Sequence, residues 1–188
     1  MSKVVIQGNA SGTGDFTIAA PNSNTDRTLT LPDVAGTVLT SGSNADFPAG
    51  SVLQVVQTTL GQTAVTTASS SFVSMGHSVS ITPSSTSSKI LLYVMGGGHY
   101  LSSGNTLASV TIFRGATNLG DSVTGLESVY TVGTTGFNFI PHSMMVLDSP
   151  NTASSVTYTT YAKTPAGTYQ YQNTDRGDIN FVAMEIAG

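Results

Sequence analysis

Two stretches decide how this chain is read: Lys89-Ile90-Leu91-Leu92-Tyr93-Val94-Met95 and Ile179-Asn180-Phe181-Val182-Ala183-Met184-Glu185-Ile186. In an extended strand, successive side chains point to opposite faces. A strand with one wet face therefore alternates apolar and polar residues. These two carry apolar residues at odd and even positions alike, which predicts central strands covered on both sides. No long segment shows the three-four apolar spacing of an amphipathic helix, so no helix is at hand to cover the second side. The cover that remains is another copy of the same sheet. An oligomeric β-sandwich follows, with the last strand in its interface. Tyr93, Phe181, Met184 and Ile186 are the expected interface residues.

Working outward from these strands, short runs rich in Val, Thr, Ile, Tyr and Phe recur between turn residues, the mark of a sandwich or barrel. Strands are predicted over Ser51–Thr59, Phe72–Thr82, Leu107–Arg114, Ser128–Val132, Val156–Lys163 and Thr168–Gln172. A longer one spans Phe137–Leu147, bent or edged at Pro141. Gln62–Ser71 reads as a loop or exposed edge, and Gly115–Gly120 as a hairpin-like turn. Residues 1–47 hold only two or three short strands, with too few large apolar residues for a core of their own. Ser41–Asp46 reads as a linker. The division is thus an N-terminal β segment for attachment and intertwining, 1–47, and a β-sandwich head, 48–188.

Charged residues make up only 9% of the 188 residues, against about 25% in ordinary domains, while the hydrophobic fraction is 39%. The surface is therefore polar but mostly neutral, which suits a particle component packed against copies of itself. With six Lys and Arg and a net charge of −4, no basic stripe exists, and nucleic-acid binding is not expected. No apolar run approaches a membrane span, so membrane insertion is not expected either. The first residues show no apolar stretch of the secretory kind. With no cysteine, disulfides and thiolate metal sites are excluded.

Phe16-Thr17-Ile18-Ala19-Ala20-Pro21 and Arg27-Thr28-Leu29-Thr30-Leu31-Pro32-Asp33-Val34-Ala35-Gly36-Thr37-Val38-Leu39-Thr40 resemble a segment common in tail-fibre and related virion proteins of bacteriophages. The head resembles the trimeric jelly rolls of the C1q/TNF-like class. The resemblance lies in Lys89-Ile90-Leu91-Leu92-Tyr93-Val94, in Ser109-Val110-Thr111-Ile112-Phe113-Arg114 with a turn ending Asn118-Leu119-Gly120, and in Phe181-Val182-Ala183-Met184-Glu185-Ile186. It implies a jelly-roll sandwich, a threefold axis and a final strand near that axis. The chain differs from secreted members of that class in lacking cysteines, a collagen repeat and a signal peptide, which favours a virion role.

Site chemistry is sparse. His77, His99 and His142 stand far apart in sequence, and zinc needs three or four ligands gathered by the fold. His99, at the end of a central strand, is the one a threefold axis would gather; the plainer reading, adopted here, is a polar residue at a strand end, with no metal and no cofactor. Gly96-Gly97-Gly98 lacks the helix and Lys-Ser/Thr of a phosphate loop, and reads instead as a close backbone approach or bulge. Arg176-Gly177-Asp178 reads as a turn, and Asp175 with Asp178 is too small a set for calcium. Tyr169 and Tyr171 would stack on a sugar if exposed, or bury one tyrosine face if not. No acid pair stands out for glycoside hydrolysis among Asp121, Glu127, Asp148, Asp175, Asp178 and Glu185, and no Gly-x-Ser-x-Gly elbow occurs.

The sequence therefore points to a non-enzymatic structural protein of a virion: a homotrimeric phage tail fibre or appendage. Residues 1–47 would bind other virion proteins, and loops around Asn105, Asn118, Asp175 and Arg176 would meet a host surface glycan or protein. A capsid decoration or head-fibre protein is the second reading, and a carbohydrate-active spike enzyme the third.

Overall fold

The computed structural model describes residues 11–14, 17, 22, 24–26, 28, 30, 33, 35, 47–133, 136–138, 140–172 and 177–188. The chain divides into two compact units, Met1–Val38 and Leu39–Gly188. The strands expected within 1–47 lie largely outside the described residues. In the second unit the chain runs through β1 (Val52–Leu60), β2 (Val65–Thr67), β3 (Val73–Ile81), β4 (Lys89–Gly96), β5 (His99–Leu101), β6 (Thr106–Arg114), β7 (Thr117–Asn118), β8 (Glu127–Thr131), β9 (Gly136–Asn138), β10 (His142–Asp148), β11 (Val156–Lys163), β12 (Tyr169–Gln172) and β13 (Ile179–Ile186). Among the described residues there is no helix, and so none long and apolar enough to cross a membrane.

The long strands form two antiparallel sheets, ordered β1-β13-β4-β10 and β3-β11-β6 with β8 paired to β6. Their pairing is nested. Taking β1, β3, β4, β6, β8, β10, β11 and β13 in order, the first pairs with the last, the second with the seventh, the third with the sixth and the fourth with the fifth. That is a long hairpin rolled upon itself, closed by the β13·β4 and β11·β6 ladders. The fold is an all-β sandwich with jelly-roll connectivity. A third, smaller sheet, β2-β12-β5-β9, adjoins it.

Each sheet turns one face inward because apolar residues recur at every second position. Ile90, Leu92 and Val94 of β4 meet Phe181 and Ala183 of β13 and Ile112, Tyr158 and Ala162 of the opposite sheet in one core. At a residual stabilisation of about 25 cal/mol per Å² of buried apolar area, such side chains dominate the folding free energy. The predicted strand Phe137–Leu147 is two strands, β9 and β10, on either side of Ile140-Pro141. β9 pairs with β5 in the small sheet and β10 with β4 in the large one, and Pro141, with no N–H to give a ladder, stands where the chain passes from one to the other.

Gly96 closes β4 in a conformation with φ of 107°, and a Cβ there would overlap the carbonyl oxygen of Asp178. The backbones of β4 and the turn into β13 approach too closely for any side chain, which is the role read from the Gly96-Gly97-Gly98 run.

Candidate functional site

The inner face of the β1-β13-β4-β10 sheet belongs to the core; among the described residues nothing covers its outer face. Register places the outward residues in rows: Val55, Met184, Leu91 and Leu147 in one, and Gln57, Val182, Tyr93 and Met145 in the next. A third row, Thr59, Asn180, Met95 and Ser143, is more polar. There the Asn180 amide oxygen accepts hydrogen bonds from Gln57 and Thr59, each 2.8 Å. Val55, Met95, Met145 and Leu147 are all more than half exposed, at 56, 55, 59 and 52%. No residue of the three rows is charged. A contiguous apolar sheet face rimmed by polar side chains is the form taken by protein interaction sites.

The expected interface residues divide between the two faces. Tyr93, Met184 and Ile186 lie on the outer face, half-buried by their neighbours. Phe181 does not: it is fully buried in the chain's own core, where its ring meets His77 edge-on at 5.5 Å between centroids. Alternation explains the correction, since Ile179, Phe181, Ala183 and Glu185 share the inward face and Val182, Met184 and Ile186 the outward one.

The loop residues also divide. Asn105 is exposed, in the left-handed region at φ 52°, and its side-chain oxygen accepts from the Gly133 N–H at 3.0 Å. Asn118 is half-buried, and its amide serves the fold: its oxygen accepts from Thr111 Oγ1 at 2.6 Å and Gly120 N at 3.0 Å, and its nitrogen donates to the Asp121 carbonyl. Asp175 and Arg176 lie outside the described residues. Tyr169 and Tyr171 are fully buried, so stacking on a sugar is excluded for both. β12 turns both tyrosines, two positions apart, to the interior.

What sequence spacing did not show is where the histidines go. All three are buried, and with Tyr169, Tyr171 and Glu127 they form one polar network where the three sheets meet. Glu127 opens β8, His142 opens β10 and His99 opens β5. Glu127 Oε1 lies 2.7 Å from His142 Nδ1 and 3.2 Å from His99 Nε2. Its other oxygen accepts from the Ser143 N–H at 2.7 Å. His142 Nε2 donates to the Tyr171 carbonyl at 2.9 Å, and His99 Nδ1 shares a 2.7 Å hydrogen bond with the Tyr169 hydroxyl. The rings of His99 and His142 lie 4.2 Å apart. His77 joins through Tyr171 Oη at 3.2 Å.

Burial lowers His99 below the ordinary imidazole value, against the opposing pull of its hydrogen bond to Glu127. Burial also lowers His77. Burial works to raise Glu127, but hydrogen bonds from His142 and His99 outweigh it and hold the carboxyl far below the usual carboxylate range. Burial pushes both tyrosine hydroxyls up, so they stay protonated and able to donate or accept a hydrogen bond.

A second buried carboxylate fixes the chain's end. Glu185 Oε1 accepts from Ser84 N, Ser84 Oγ and Ser88 Oγ, each at 2.7 Å, and Oε2 accepts from Gln54 Nε2 at 2.6 Å. Burial works to raise its pKa, and these four hydrogen bonds together bring it below the usual value. The carboxylate thereby ties the 84–88 loop to β13 and β1.

No family model matches the chain, and no curated protein matches it. Solved structures do. The infectious bursal disease virus VP2 subviral particle overlaps 72% of this chain and 33% of its own, at 13% identity and a TM-score of 0.39. The infectious bursal disease virus Gx strain structure overlaps 73% of this chain and 39% of its own, at 12% identity and a TM-score of 0.32. The chain thus spans well under half the length of these structures.

Proposed function

We propose that this chain is a structural protein of a virus particle that works by self-assembly, as a homotrimer, in a phage tail fibre or similar appendage. The observation that carries the reading is the apolar outer face of the β1-β13-β4-β10 sheet, left uncovered by the described residues, with Lys89 as a charged residue at its edge. A second copy is its fitting cover. Rows of Val, Leu, Met and Tyr with no charge repel nothing, and self-association needs no complementary partner charge. A surface poor in charge elsewhere on the chain suits the same life in a packed particle. The count of three and the tail-fibre assignment rest on the two family resemblances in the sequence. Residues 1–47 attach the trimer to other virion proteins. The exposed loop at Asn105 and the 173–176 segment meet the host surface, each weakly and all three copies together.

Light scattering on the native protein tests this. The expected mass is three times the 19.3 kDa chain. Val182→Asp, at the centre of the face, is expected to give the monomer mass with an unchanged β-sheet spectrum. A wild-type monomer at micromolar concentration would sink the assembly reading, as would a Val182→Asp trimer. Copy number per particle then separates a tail appendage, present in few copies, from a capsid decoration protein, present in hundreds.

A further inference from the structure

We propose that His99, Glu127 and His142 form a binding site for one zinc-class divalent ion, which fastens the three sheets to one another. One ligand atom from each of His99, Glu127 and His142 lies within 4.8 Å of the other two. Two ligand atoms at about 2.0–2.1 Å from a tetrahedral zinc stand about 3.3 Å apart. The His99–Glu127 separation of 3.2 Å already matches, and the His142–Glu127 separation of 2.7 Å has to open by only about half an ångström to reach that spacing.

The outward atoms carry the argument further. Histidine ligands characteristically give their second ring N–H to a carbonyl or similar acceptor, which fixes the tautomer and aims the free lone pair at the ion. His142 does this with the Tyr171 carbonyl, and that leaves Nδ1 facing inward. His99 Nδ1 has the Tyr169 hydroxyl, which leaves Nε2 facing inward. Glu127 is held from behind by the Ser143 N–H. All three ligands are thus braced by the backbone or by a buried tyrosine.

Two imidazoles and one carboxylate suit zinc and its neighbours rather than calcium or magnesium, which take oxygen donors. The imidazole side chains are 1% and 0% exposed and Glu127 is 14% exposed, so the Glu127 side is the one nearer solvent. The ligands come one from each sheet, and an ion held by all three favours the folded state over the unfolded one.

The test uses the full chain, zinc chloride as the probe, and calorimetric titration, melting and zinc-edge X-ray absorption. The expected result is one zinc per chain, a rise in melting temperature that a chelator reverses, and an absorption spectrum with two imidazoles and an oxygen ligand. Glu127→Gln is expected to weaken zinc at least about tenfold. An unchanged melting temperature with no zinc retained overturns the proposal. So does equal binding by Glu127→Gln, or a spectrum with fewer than two imidazoles. That spectrum needs no variant, and it decides the matter if Glu127→Gln does not fold.

Discussion

Replacing Glu185 by Gln keeps the shape of the side chain and removes its charge. In the native fold this carboxylate accepts four hydrogen bonds: from Ser84 N, Ser84 Oγ and Ser88 Oγ on one oxygen and from Gln54 Nε2 on the other. A glutamine must put its NH2 group against one of these sets. Against the Ser84 set it faces a backbone N–H that cannot turn away. Against Gln54 it faces another NH2, and turning the Gln54 amide to relieve this breaks its 2.7 Å hydrogen bond to the Thr82 carbonyl. Hydrogen bonds to a charged group are worth about 1.5–3 kcal/mol each and neutral ones about 0.5–1.5. Part of the difference is returned because a buried charge no longer has to be desolvated. The net loss at neutral pH is about 2–4 kcal/mol, or very roughly 5–15 °C in melting temperature for a chain of this size. Because the folded-state pKa of Glu185 lies below its unfolded value of about 4.3, the stability it contributes is complete above that value. It is lost as pH falls through the folded value. The gap between wild type and Glu185→Gln should therefore be full at pH 7 and shrink below pH 4, as the protonated wild type comes to resemble the variant. Urea unfolding at fixed protein concentration, from pH 7 down to 3, measures both. A gap under about 0.5 kcal/mol at pH 7, or one that stays constant to pH 3, would refute the account of a charged carboxylate held by four hydrogen bonds.

Two further stability tests follow from the geometry. Gly96→Ala should destabilise by more than about 2 kcal/mol in urea unfolding, since the added methyl overlaps the Asp178 carbonyl. Gly76→Ala, at a similar φ of 73° but with open space around its Cβ, should cost only about 1 kcal/mol. Arg114→Ala leaves the buried Asp148 without its 2.7 and 2.8 Å guanidinium contacts, whereas Tyr158→Phe removes a single 2.8 Å hydrogen bond to it. The first should therefore cost about 3 kcal/mol and the second about 1–2; the reverse order in thermal melts would contradict the pairing.

Strand positions were legible wherever a strand reports on itself. Val156–Lys163 and Ile179–Ile186 are observed with the bounds read from the sequence. The short strands β2 and β5 were not, because three residues such as His99-Tyr100-Leu101 carry no measurable period. The break expected at Pro141 within Phe137–Leu147 is a full change of sheet, from β9 beside β5 to β10 beside β4, which a bend read from one proline does not specify. The histidine cluster was illegible for a different reason. His99, Glu127 and His142 belong to three sheets, and each is a polar residue at the start of a strand, where a solvated side chain would serve equally well. What joins them is the nesting of the roll, which no local window contains. A partial signal existed in Tyr169 and Tyr171, two residues apart on one face of β12, whose polar ends need partners once buried.

The doubly apolar strands show how far a period-two pattern can be taken. It states that both faces of β4 and β13 avoid water, without saying which face meets which partner. Residues three apart in a strand point opposite ways, so Phe181 and Met184 meet different partners. The structure sorts the two sets: Ile90, Leu92, Val94, Phe181 and Ala183 fill the chain's own core, and Leu91, Tyr93, Met95, Val182 and Met184 are left facing out. The first set accounts for the fold of one chain, whereas the second contributes little to it and exposes apolar surface at a cost. A substitution such as Ala183→Asp should therefore abolish folding, while Val182→Asp, one residue along the same strand, should leave the fold and remove only the association. Circular dichroism and light scattering on this pair separate the two roles. If both variants unfold, the outer face is part of the chain's own stability, and the case for a second copy as its cover fails.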